Sequence, residues 1–182
     1  MKLQYTGIPA AFVLAISASS ALAAPAQLYG KSISVSWSEN RMQTTAMSAT
    51  PQSISAYAQM QIYISDKGRA FSRVSMAVTN QRNRTRTGSR DSVQGEGSAR
   101  SINFNGNSMT VVAPRGNAGA MMVAVTFSSG FQGCSAHVVT GKSGGAQSTR
   151  VRSMITGGEV DIYSVQTSGE SCSIQNGNVF GN

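Results

Sequence analysis

The stretch KSISVSWSEN, residues 31 to 40, puts Ile33, Val35 and Trp37 at alternate positions, with Ser32, Ser34, Ser36 and Ser38 between them. An apolar period of two marks a strand with one buried face. The same signal recurs downstream. In AQMQIYIS, residues 58 to 65, Met60, Ile62 and Ile64 alternate with Gln59, Gln61 and Tyr63. The turn residues Asp66-Lys67-Gly68-Arg69 follow, then a strand carrying Val74, Met76 and Val78. Phe71 lies on the other parity, so either a bulge shifts the register or its ring packs elsewhere.

A second hairpin is expected in SINFNGNSMTVV, residues 101 to 112, where Asn105-Gly106 suits the positive φ values of a type I′ turn. Met121, Val123, Val125 and Phe127 form the apolar face of a further strand, which Ser128-Ser129-Gly130 can reverse into GCSAHVVT, residues 133 to 140. EVDIYSV (159–165) and SCSIQN (171–176) read as two strands parted by a turn at Thr167-Ser168-Gly169. TRVRSMI, residues 149 to 155, reads as a strand or a short helix, with strand preferred. The sum is an all-β, antiparallel meander of about eight or nine strands, forming a small calycin-like barrel or a sandwich. Lipocalin- and avidin-like barrels open with a glycine separated from a tryptophan by a single residue. Here six residues separate Gly30 from Trp37. No family is therefore assigned, and Trp37 is read as a core residue.

Residues 1 to 23 place Lys2 before a short apolar run and end Ala21-Leu22-Ala23, the layout of a cleaved secretory signal peptide. The run is too short for a membrane span, which needs roughly 20 residues. Residues 24 to 182 are then expected to form a single domain. Export to a periplasm or beyond the cell permits a disulfide, and Cys134 and Cys172 are the chain's two cysteines. They are expected to pair. Loss of Lys2 leaves 14 basic against 7 acidic side chains, a formal charge of +7. Such a surplus favours anionic partners.

Much of that charge lies in QRNRTRTGSR, residues 81 to 90, with Arg82, Arg84 and Arg86 at every second position and Arg90 beyond. Between residues 80 and 99 the only large apolar residue is Val93, so the segment is expected to be an exposed ribbon or a mobile loop. On an extended backbone the arginines share one face at roughly 7 Å intervals and form a ladder for a polyanion, such as an envelope polymer or lipid headgroups, with Arg73 and Arg100 assisting. On a mobile loop they are solvated charges. No aromatic residue lies between 80 and 99. Specific nucleic-acid binding, which needs stacking platforms, is therefore not expected.

Catalytic signals are weak. His137 is the chain's only histidine and shares strand parity with Ser135, but no G-x-S-x-G elbow occurs and the third member of a triad would be as distant as Asp161. Cys134 and His137 differ by an odd number of positions and would face opposite ways on one strand. One histidine and two separated cysteines do not make the usual zinc spacing. The methionines sit mostly at apolar strand positions, which suits core filling better than copper binding. The expectation is a non-catalytic binding or structural module of the cell envelope without metal or cofactor. The alternatives are a barrel carrying a small apolar ligand near Trp37, or a hydrolase centred on His137.

Overall fold

The structure, a computed structural model, describes residues 23–45, 48–79, 85–93, 101–114, 120–140, 149–153 and 155–181. The expected leader, apart from Ala23, lies outside them. Strands β1 (Lys31–Thr45), β2 (Ser48–Ile64), β3 (Ala70–Thr79), β4 (Thr85–Val93), β5 (Ser101–Asn105), β6 (Ser108–Pro114), β7 (Ala120–Phe127), β8 (Cys134–Thr140), β9 (Thr149–Arg152) and β10 (Glu159–Asn176) follow one another in the chain. They form two antiparallel sheets, a six-stranded one ordered β4-β3-β2-β1-β10-β9 and a four-stranded one ordered β5-β6-β7-β8. The sheets do not close into a barrel. The fold is a sandwich.

The alternation that predicts the strands also selects their buried faces. Ile33, Val35 and Trp37 of β1, Met60, Ile62 and Ile64 of β2 and Val74 and Met76 of β3 are buried. Facing them are Ile102 and Phe104 of β5, Met109 and Val111 of β6, Val123 and Val125 of β7 and Val138 of β8, within one continuous core. A smaller cluster, Val160, Ile162 and Val165, lies along the first half of β10. Phe71 needs no bulge. It pairs directly with Tyr63 on the outer face, with ring centroids 6.3 Å apart.

Three local readings change. The segment Thr167-Ser168-Gly169 does not reverse the chain, because β10 runs unbroken through it. The register against β1 slips there, with Ser36 opposite Ser171 and Ser38 opposite Ser168, so Gly169 and Glu170 together face Trp37. Gly169 has φ 65°, the left-handed conformation that glycine brings to a bulge as readily as to a turn. At the β5–β6 hairpin, Asn105 remains in the strand opposite Ser108, and Gly106, with φ 54°, takes the first of the two loop positions. That places glycine where a type II′ turn requires it, not at the second position of an Asn-Gly pair. Finally, β1 and β2 continue well past their apolar alternation, pairing as far as Thr45 and Ser48.

One edge joins the sheets. Cys134 of β8 and Cys172 of β10 form a disulfide with their Cα atoms 5.5 Å apart. Nearby, the Thr167 hydroxyl donates to the Val138 carbonyl at 2.9 Å. In the chain-entropy picture a disulfide closing a loop of this size stabilises the fold by roughly 4 kcal/mol.

Beyond Trp37 the inner face of β1 turns polar. Glu39 has a fully buried side chain, yet its carboxylate accepts from the Trp37 indole N–H at 2.7 Å and is paired with the Arg41 guanidinium. Positions 37, 39 and 41 share a face because strand side chains alternate. Removing one partner of a buried ion pair costs about 3–5 kcal/mol, whereas replacing both by apolar groups is often neutral. Arg41→Met is therefore expected to lower unfolding free energy by about that amount, and Glu39→Leu with Arg41→Met to recover part of it, because the Trp37 indole N–H then loses its carboxylate acceptor. Denaturant titration followed by fluorescence of the single tryptophan measures both, and equal losses in the single and double variants would contradict this role.

Candidate functional site

The arginine segment divides at residue 85. Arg82 and Arg84 lie outside the described residues, as does Arg100, while Arg86 and Arg90 belong to β4. β4 pairs continuously with β3 from Thr79 opposite Thr85 to Phe71 opposite Val93. Within these bounds the segment is a strand at the free edge of the larger sheet. A segment poor in apolar residues is held here by ladder hydrogen bonds to a well-packed neighbour, a tertiary effect that composition does not report.

The register gives each arginine an address. Glu39, Ala56, Val78 and Arg86 form one cross-strand row, and Val35, Met60, Val74 and Arg90 form another. Both arginine positions thus have the parity of the core-facing residues. At the sheet edge Arg86 is nonetheless exposed to solvent. The two positions are separated by roughly 13 Å of strand. Arg73, expected to assist, sits on the opposite parity in β3, where its guanidinium lies 5.0 Å from the centre of the Phe180 ring.

On either side of the Arg86 row, uncharged side chains cover part of the outer face of the same sheet. Asn40, Ser55, Thr79 and Thr85 form one row, and Ser38, Tyr57, Ala77 and Thr87 the next. A shallow depression of about 310 Å³ lies across β1, β2 and β3, lined by Ser38, Asn40, Ser55, Tyr57, Ala77 and Thr79 together with the inward-facing positions Glu39 and Ala56. Tyr57 is 52% exposed. The strand reading that began at Ala58 missed it, although Tyr57 continues the outward parity of Gln59 and Gln61.

The groups weighed for catalysis are scattered. The His137 side chain is 74% exposed on β8, and its Nδ1 lies 4.0 Å from a carboxylate oxygen of Glu170, which sequence reasoning did not single out. Ser135 is exposed on the same face. Asp161 is nine positions from Glu170 along β10, roughly 30 Å away, and does not reach His137. Instead it accepts from Arg150 Nε at 3.0 Å and from a second guanidinium nitrogen at 3.2 Å, directly across the β9–β10 ladder. Among the described residues no three histidine, cysteine or acidic side chains gather as a metal site would require. Among them, too, no helix is long and apolar enough to cross a membrane. Comparison with protein-family models, curated proteins and solved structures gave no match.

The Arg150 hydrogen bond holds the Asp161 carboxyl below its ordinary value, and Asp161 in turn holds the Arg150 guanidinium above its own. With a lowered folded-state value, the pair's contribution is present above the unfolded carboxyl value of about 3.9 and is lost as pH falls through the folded one. Both groups are solvent-accessible, so the energetic effect is small and screened by salt. Carbon-detected NMR titration is expected to find Asp161 below the unfolded value in the native chain and close to it in Arg150→Met. An identical midpoint in the two proteins would contradict the assignment.

Proposed function

We propose that this protein is an exported, non-catalytic β-sandwich that binds an anionic polymer of the cell envelope along the free edge of its larger sheet. The observation that carries the reading is the regular pairing of β4, which gives Arg86 and Arg90 fixed addresses of like parity in place of a structureless run. In the sequence Arg82 and Arg84 continue the same even spacing. Guanidinium groups at intervals along an edge match a chain of carboxylates or phosphates, which each can grip in two-pronged fashion. Attraction to a polyanion also follows from the chain's positive charge.

Export is supported by the Cys134–Cys172 disulfide, a bond that oxidising compartments let form and persist. The carrier reading is weakened at Trp37, because an indole bonded to a buried carboxylate is a poor wall for an apolar ligand. The hydrolase reading is weakened by the openness of His137, since acyl-transfer sites rely on donors preorganised in a water-excluded setting.

One observation favours a second reading. Charges on the core-facing parity of an edge strand prevent another strand from adding to the sheet, and Arg86 and Arg90 have that parity. The two readings diverge when both arginines are replaced. In Arg86→Ser with Arg90→Ser, the binding reading predicts weaker association with polygalacturonate and a shallower fall of affinity with salt. The edge-protection reading predicts unchanged binding together with self-association in sedimentation velocity. Binding to phosphatidylglycerol vesicles but not to polygalacturonate would move the partner from polymer to lipid surface.

A further inference from the structure

We infer that the depression around Tyr57 on the outer face of the six-stranded sheet is a second binding site, one that takes a sugar ring of a neutral glycan. This goes beyond the arginine edge and does not depend on it. The depression exists because Ala77 follows Tyr57 in its cross-strand row, leaving the tyrosine ring with a small neighbour on the β3 side. Glu39 and Ala56 also line it, and they carry the core-facing parity and are buried.

The chemistry of the lining selects the ligand. Of the eight lining residues, the six with outer-face parity, Ser38, Asn40, Ser55, Tyr57, Ala77 and Thr79, carry no charge at neutral pH. Hydroxyl and amide groups both donate and accept, as the hydroxyls of a pyranose ring do. Two of these groups already exchange such a bond, the Ser55 hydroxyl donating to Asn40 Oδ1 at 3.2 Å, and the Thr79 and Thr85 hydroxyls are 2.9 Å apart. A half-exposed tyrosine adds a flat apolar surface with a polar tip at little cost in conformational entropy. A pyranose, with its C–H groups on one face and hydroxyls around its rim, matches both parts. An anion finds no cation in this lining, and an apolar ligand would leave the polar groups without partners. The volume, about 310 Å³, falls at the small end of ligand clefts, which suits one ring of a longer chain.

The test is NMR titration of the exported chain with cellohexaose, maltohexaose and chitohexaose in turn, at low and at high salt. Expected are amide shifts confined to residues 38–40, 55–57 and 77–79 with at least one of the three, at an affinity that does not change with salt. Tyr57→Ala is expected to weaken binding roughly tenfold or more. Ala77→Tyr, which fills the depression without removing a packed group, is expected to abolish it while the remaining spectrum stays native. Salt-insensitivity separates this site from the arginine edge, which can fail without affecting it. Absence of shifts with all three sugars, shifts elsewhere on the surface, or binding unchanged in both variants would overturn the proposal.

Discussion

A carboxylate removed from water must be neutralised and hydrogen-bonded, and the placement of Glu39 makes that requirement central to this sandwich. Trp37 and Arg41 meet it from the same face of the same strand. β1 is also the strand on which the larger sheet is built, since it pairs along almost its whole length with β2 on one side and β10 on the other. Its inner face passes from Ile33 and Val35 through Trp37 to Glu39, Arg41 and Gln43, so that one strand contributes both the apolar core and the charged end of it. The bulge at Gly169 falls opposite Trp37, at the junction of the two regimes. Just beyond it, the disulfide from Cys172 and the bond from Thr167 tie β8 to β10.

How much of this was legible depended on whether a residue's fate is set locally. The period of two in residues 31–37, 58–64 and 121–127 identified strands and their buried faces, because burial on one face of a pleated chain leaves that pattern directly in the sequence. The pairing of Cys134 with Cys172 followed from an even count in a chain expected to be exported. Gly169 was misread because positive φ serves a turn and a bulge equally, and only the partner strand decides between them. The far half of β2 was missed although Ile54 and Ala56 continue its buried parity, and that of β1 because its inward positions, Glu39, Arg41 and Gln43, are polar and break the apolar alternation. Glu39 was legible in principle, since it holds the inward parity set by Ile33, Val35 and Trp37. A charged residue at such a position is a cue to look for a buried partner two positions away.

The candidate site divides in the same manner. That Arg86 and Arg90 would share a parity was readable from their spacing, but whether the segment formed a strand was not, since Val93 is the only large apolar residue in the sequence between residues 80 and 99. The outer face carries the opposite lesson. Its serines and threonines look like featureless surface in the sequence, and only the cross-strand register assembles Ser38, Asn40, Ser55, Tyr57, Ala77 and Thr79 around one depression. The uncharged rows end at Thr85 and Thr87, which flank Arg86 on the opposite parity, so the neutral face and the basic edge meet at β4.

Everything proposed for the basic edge rests on β4 being a paired strand. Native-state hydrogen exchange of the backbone amides from residue 85 to 93 tests this most directly. If β4 pairs with β3 as described, alternate amides in this range exchange orders of magnitude more slowly than those of an unstructured chain, in step with their β3 partners. Uniformly fast exchange across residues 85–93, with β3 still protected by β2, would contradict the account and return the arginines to the status of solvated charges.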